Sequence, residues 1–167
     1  MLTIALLAAA CGKQQSDPNV GSEQDSVWDG SVATAFESGD GSENNPFIIK
    51  TPSQLAFLAQ QVNAGNSYED CHFEIVSDMN LAGHNWTPIG TSYRCKFSGS
   101  LDGKGHKILG LKVDSDVKFA GLFGNVRGFV GFEMSVIKNI VIPDAEIRAL
   151  SAVCGILCGF ATYASVS

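Results

Sequence analysis

The residues with chemistry to offer are few: five cysteines, three histidines and 17 acidic side chains in 167 residues. His72, His84 and His106 stand too far apart for a His-Glu-x-x-His zinc motif, so no hydrolytic zinc site and no other metal site is expected. No Gly-x-Ser-x-Gly elbow, P-loop or dinucleotide fingerprint occurs, and no cofactor is expected. Cleavage of a glycan needs paired carboxylates, or a base with cations. Asp102, Asp114 and Asp116 qualify by residue type only. Asp102 sits in an Asp-Gly turn, and the other two fall in a polar corner that solvation explains. Asp40, Ser42 and Asn44 alternate like calcium ligands but lack the glycine and distal glutamate of an EF-hand loop. Gly, Asp, Asn and Ser are ordinary turn residues, and a solvated turn is the simpler reading. No catalytic constellation can be assembled.

The cysteines divide by place. Cys71 and Cys95 form the candidate disulfide, given an oxidising compartment. Cys154 and Cys158 read as small apolar residues, since two cysteines four apart without nearby histidines make a poor metal site. Cys11 closes an apolar run, residues 1–10 (MLTIALLAAA), that is too short to span a bilayer. Small residues Ala8, Ala9 and Ala10 precede it, as at a signal cleavage site. The run resembles a bacterial lipoprotein signal ending in a lipid-modified cysteine, with Ala8 where leucine is usual and no basic start. The plainer alternative is an ordinary secretory signal. Residues 12–26 are polar and read as a flexible tether, leaving 27–167 as the folded domain.

The formal charge is −6 with a pI near 4.9. Such a surface disfavours nucleic acid and anionic membrane surfaces as partners. Charged residues make up 17% of the chain, below the usual ~25%, and glycine is abundant at 18 residues. That balance suits a glycine-turned β protein.

The elements that must position any site follow from periodicity. Residues 52–64 predict the one clear helix. Thr51 and Gln54 form a capping box, and Pro52 stands at the first helical position. Leu55, Leu58, Ala59 and Val62 make one apolar face, and Gly65 suits the left-handed residue that ends the helix. The face is expected to bury within the fold rather than to bind a partner. Strand pieces are expected at Trp28-Asp29-Gly30, at Phe47-Ile48-Ile49, from Phe73 to Leu81, and from Val136 to Ile142. Between Trp86 and Val113, Phe97, Gly99 and Leu101 alternate with polar residues. Asp102-Gly103 and Lys104-Gly105 then turn the chain, and Leu109, Leu111 and Val113 alternate again. Trp86 offers a sugar-stacking ring, although a Trp beside Pro88 and Ile89 is more often core. Short strands with glycine turns predict an all-β fold; a meander, a sandwich and a parallel solenoid all remain open.

Aligning Leu122-Phe123-Gly124 with Leu157-Cys158-Gly159 gives a period in the range of solenoid repeats, with copies near 119–142 and 153–167. Trp28-Asp29-Gly30, Pro46-Phe47-Ile48-Ile49 and Gln54-Leu55-Ala56-Phe57-Leu58-Ala59 are further marks. So are Asp78-Met79-Asn80-Leu81, Trp86-Thr87-Pro88-Ile89-Gly90, Phe97-Ser98-Gly99-Ser100-Leu101-Asp102-Gly103, His106, Gly121-Leu122-Phe123-Gly124 and Lys138-Asn139. On these residues the chain resembles the GLUG-motif proteins of bacterial cell envelopes, Bacteroides-like ones especially; the motif also occurs in metalloproteases that cleave immunoglobulin A. The resemblance implies a right-handed parallel β-helix with the helix over residues 52–64 capping its N-terminal end. The last rung is expected to be incomplete and open to self-association.

The functional expectation is a non-catalytic, lipid-anchored envelope protein, at the outer membrane or cell surface, with an adhesin-like domain contacting glycan or protein. The alternative is the N-terminal portion of a larger surface enzyme, a metalloprotease or polysaccharide lyase, whose chemistry lies elsewhere.

Overall fold

A computed structural model describes residues 27–128, 134–149 and 153–167. Cys11 and the tether lie outside the described residues, as does part of the segment 119–142.

The helix forms where its caps and apolar spacing require. α1 spans Pro52–Asn63. The Thr51 hydroxyl accepts the Gln54 N–H, and the Gln54 side chain accepts the Thr51 N–H at 3.2 Å and the Lys50 N–H at 2.8 Å. Two donors that the first turn leaves unpaired are thereby satisfied. Gly65, at φ +106°, follows the Ala64 cap. Leu55, Leu58 and Val62 are fully buried, and Ala59 nearly so. Each such leucine contributes about 1.5–3 kcal/mol by leaving water. The stripe packs into the protein's own core, alongside Trp28, Ile49 and Trp86.

The rest of the described chain is strand and turn. In order come β1 (Phe47–Ile49), β2 (His72–Ile75), β3 (Met79–Asn80), β4 (Ser100–Asp102), β5 (Ile108–Leu109), β6 (Leu111–Asp114), β7 (Phe119–Ala120) and β8 (Phe123–Arg127). β9 (Ser135–Lys138), β10 (Ala145–Arg148), β11 (Val153–Cys154), β12 (Cys158–Thr162) and β13 (Ala164–Val166) follow. All ladders between these strands are parallel. One sheet has five strands in the order β1-β2-β4-β9-β13, and four sheets have two strands each, β10-β6, β11-β7, β12-β8 and β3-β5. Among the described residues the fold is therefore mostly strand with a single helix, and its parallel sheets are short and separate.

Register carries the core from strand to strand. Phe47 lies opposite Phe73, Phe73 opposite Leu101, Leu101 opposite Ile137, and Ile137 opposite Val166. Aromatic rings continue this interior line, with Phe73 and Phe97 centred 5.7 Å apart and Phe97 and Phe123 5.3 Å apart. Phe123 pairs with Cys158, so the two segments that the sequence aligns lie side by side. In the two-stranded sheets, β10, β11 and β12 pair on one side among the described residues, as does β13 at the end of the five. Ile147, Cys158 and Val166 are accordingly half-buried, while their partners Val113, Phe123 and Ile137 are fully buried.

Three expected strands differ in detail, each for a backbone reason. Asp29 accepts the Ser31 N–H at 2.9 Å and Gly30 has φ +84°, so residues 28–30 turn and only Val27 bridges Asn80. The alternation expected at Leu109, Leu111 and Val113 is broken at Gly110, where φ is +63°. A Cβ there would meet that of Ala82 at 2.7 Å. The corner resets the phase, so Ile108 is buried in place of Leu109, which is half-exposed. β9 stops at Lys138 because Asn139 takes φ +57°, a left-handed conformation that asparagine tolerates.

Candidate functional site

The outer face of the five-stranded sheet brings polar side chains together across strands that are distant in sequence. Successive residues of a strand point to opposite faces. Phe73, Leu101 and Ile137 point inward, so their neighbours point out. His72 pairs with Ser100, and the Ser100 hydroxyl accepts the Val136 N–H at 3.3 Å. The next row is Glu74, Asp102 and Lys138, in register on β2, β4 and β9. These rows, with Pro46 and Met134 at the edges, line a shallow groove of about 320 Å³.

Its electrostatics centre on Asp102. Lys104 Nζ lies 2.8 Å from a Glu74 oxygen and 3.7 Å from Asp102, and Lys138 Nζ lies 3.6 Å from Asp102. The Asn139 amide donates to Asp102 at 3.0 Å and the Lys104 N–H at 2.8 Å. Desolvation pushes the Asp102 carboxyl up, but the Asn139 amide, the Lys104 N–H and the two lysines outweigh it and hold the group below the usual carboxylate range. The hydrogen bond that the Lys104 ammonium donates to Glu74 leads the effects that raise its pKa. The quartet is formally neutral. Directly opposite carboxylates on adjacent strands repel, and the lysines offset that repulsion. The arrangement thus presents a polar, hydrogen-bonding face on which Asp102 is engaged by its neighbours.

The other residues singled out by type lie elsewhere. Asp114 ends β6 in a different sheet, with its carbonyl accepting the Asn85 amide at 3.3 Å, and Asp116 is exposed in the turn that follows. Asp40 accepts the Ser42 N–H at 2.9 Å, while the Asp40 and Gly41 N–H groups donate to the Asn45 carbonyl, which makes the Ser42 and Asn44 segment a tight turn. No grouping of three metal-ligating side chains occurs among the described residues. His106 Nδ1 lies 3.0 Å from Asp78, whose carboxylate also accepts the Lys107 N–H at 3.0 Å. That backbone bond, then His106, holds the Asp78 carboxyl low. His84 packs edge-on to Trp28, with ring centres 5.7 Å apart.

Trp86 is core: it is 2% exposed, and its indole N–H donates to the Leu122 carbonyl at 3.0 Å. It offers no face to a sugar. Cys71 and Cys95 are unbridged thiols. Cys95 Sγ is directed instead at the Asn63 carbonyl, 3.2 Å away, and burial raises the Cys71 thiol. Cys154 is exposed and Cys158 is half-buried, so only the second fits the expected buried apolar role. Burial raises the Cys158 thiol as well.

Glu74, Lys104 and Lys138 escape a reading by sequence. They meet because Phe73 pairs with Leu101 and Leu101 with Ile137, and the intervening segments are of unequal length. The one local signal is Lys104, two residues beyond Asp102 in the turn.

Comparison with known proteins places this chain against much longer ones. It is 27% identical over 127 residues to a protein of Evansella cellulosilytica described as a Gly-rich membrane protein, an alignment covering 72% of this chain and 13% of that protein. It is 31% identical over 128 residues to halomucin of Haloquadratum walsbyi, covering 71% of this chain and 1% of that protein. The chain thus spans a small part of the curated relatives it matches. No family model matches it, and no solved structure does. Among the described residues no helix is long and apolar enough to cross a membrane.

Proposed function

We propose that this chain is a non-catalytic module of the cell envelope, a GLUG-type parallel β-helix that binds a partner at the cell surface. The observation that carries the reading is the parallel stack of five strands with a polar face across β2, β4 and β9. Stacked parallel strands make extended surfaces suited to binding. The relatives support the setting: one is described as a membrane protein and the other is named halomucin. Their length supports a module that recurs within larger proteins. In this reading Cys11 carries the lipid, residues 12–26 form the tether, and the folded part stands clear of the membrane.

The test is co-sedimentation of the purified full chain with envelopes of its source organism. Saturable binding that weakens when Lys104 and Lys138 are replaced by methionine supports the reading. No binding to envelopes, or binding indifferent to the outer face and to every other surface variant, contradicts it.

A second reading has one specific observation in its favour. Because the chain aligns with only 13% and 1% of its relatives, it also fits as the binding portion of a longer surface enzyme. Sequencing the native protein to its C-terminus separates the two: a zinc motif or a lyase domain in the same polypeptide establishes the enzyme.

A further inference from the structure

A second concavity lies between α1 and the segment 84–87, and its chemistry differs from that of the outer sheet face. It encloses about 600 Å³, within the range of about 300–1,000 Å³ typical of small-ligand sites. No Asp, Glu, Lys or Arg lines it. That is unusual in a chain with 17 acidic and 11 basic residues. The sheet-face groove contains Glu43, Glu74, Asp102, Lys104 and Lys138, and a third groove contains Asp29, Glu37, Lys50 and Asp78.

What does line the cleft is of two kinds. α1 forms the floor, where the small side chains of Ala56 and Ala59 leave room for a ligand. One wall is aromatic. His84 is exposed, and its ring meets Trp28 edge-on at 5.7 Å and 63°. Its imidazole lies flush on Gly30, where a Cβ would come within 2.9 Å of Nδ1. Trp28 is itself fixed, its indole N–H donating to the Ser31 carbonyl at 2.8 Å. The ring of His84 is therefore held in one place by the backbone beneath it and the indole beside it. The rim carries uncharged hydrogen-bonding groups, the exposed side chains of Gln60, Asn85 and Thr87. The Asn85 amide donates to the Asp114 carbonyl at 3.3 Å, which orients it.

We propose that this cleft binds an uncharged sugar ring of a neutral oligosaccharide, with His84 as the stacking platform and Gln60, Asn85 and Thr87 bonding its hydroxyls. A pyranose has an apolar C–H face and an equatorial belt of hydroxyls, each both donor and acceptor. Amides and hydroxyls match that belt without requiring charge. A phosphate or uronate finds no lysine or arginine here, and a purely apolar ligand would leave the rim amides unpaired, which costs affinity. The inference rests on the reading of the chain as a binding module and supplies its ligand class.

The experiment is a titration of the full chain with maltotriose, cellotriose, mannotriose and chitotriose, followed by tryptophan emission, with trigalacturonate as the charged comparison. Emission reports the cleft because Trp28 lines it. One neutral trisaccharide is expected to bind at micromolar to millimolar concentration. His84→Ala and Gln60→Ala should each weaken it at least about tenfold, or 1.4 kcal/mol, while the thermal midpoint stays near that of the unmodified chain. If His84→Ala proves unstable, Gln60→Ala on the exposed rim gives the same readout. Absence of binding by all four neutral sugars, or preference for trigalacturonate, overturns the proposal. Binding that survives both cleft variants but falls with Lys104→Met overturns the cleft while leaving the binding-module reading intact. Envelope co-sedimentation that fails alongside every sugar removes both.

Discussion

Glu74 and Asp102 stand directly opposite each other on adjacent parallel strands, and Lys104 bridges them, 2.8 Å from one and 3.7 Å from the other. Two facing carboxylates destabilise a sheet unless a cation intervenes. Lys104→Met is therefore expected to lower the thermal midpoint, and the loss should shrink as salt rises, because ions screen the exposed repulsion that remains. Thermal melts of both proteins at low and high salt check this. A loss of equal size at both salt concentrations would show that the lysine stem, not its charge, matters.

Carboxylates inside and outside this cluster set the acid limit of stability. Asp102 and Asp78 both titrate below the ordinary carboxylate range. A carboxyl whose folded value lies below its unfolded value of about 3.9 contributes stability that is fully present at neutral pH. That contribution is lost as pH falls below the unfolded value and through the folded one. Urea unfolding between neutrality and pH 3 is expected to show a steepening loss below about pH 4. Asp102→Asn should flatten that limb while lowering stability at pH 7. An unchanged acid limb in this variant contradicts the assignment.

Much of this arrangement is legible in the sequence wherever the signal is local. Thr51, Pro52 and Gln54 announce the helix, and Leu55, Leu58 and Val62 announce the face it buries. Glycine turns and short apolar alternations announce strands. The outer face is illegible because its members meet through register. Nothing in the order of residues says that Glu74 faces Asp102 or that Asp102 faces Lys138. The exchange of Leu109 for Ile108 in the core has a similar cause: alternation assumes an unbroken strand, and Gly110 turns a corner with φ +63°. Trp86 carried two readings, and only its surroundings decide between them.

Those surroundings give a stability prediction. Trp86 is 2% exposed and donates to the Leu122 carbonyl. Trp86→Ala removes a large buried ring and leaves a cavity, costing about 3–5 kcal/mol. Trp86→Phe retains most of the packing, and the Leu122 carbonyl keeps its bond from the Ile89 N–H at 3.1 Å, so the loss of the indole bond should cost only about 0.5–1.5 kcal/mol. Urea denaturation of the two variants should rank them in that order.

Gly90 tests how closely neighbouring segments approach. Its φ is +84°, and a Cβ would lie 2.7 Å from the Asn125 carbonyl oxygen and 2.9 Å from that of Cys95. Gly90→Ala therefore meets both backbone strain and a clash against main chain that cannot rotate away. The expected loss exceeds the ~1 kcal/mol by which alanine ordinarily improves on glycine in regular structure, and it has the opposite sign. Calorimetry of Gly90→Ala beside Gly105→Ala, which has positive φ but open space around it, separates the clash from the strain.

The assignment to the cell envelope is tested most directly by the fate of Cys11 in the source organism. Membranes should be separated from soluble material, the protein recovered, and its N-terminal peptide weighed by mass spectrometry. The predicted result is a membrane-bound chain that begins at a diacylated Cys11, with both the lipid and the membrane association lost in Cys11→Ser. A chain recovered from the soluble fraction with Met1 in place and Cys11 unmodified would contradict it.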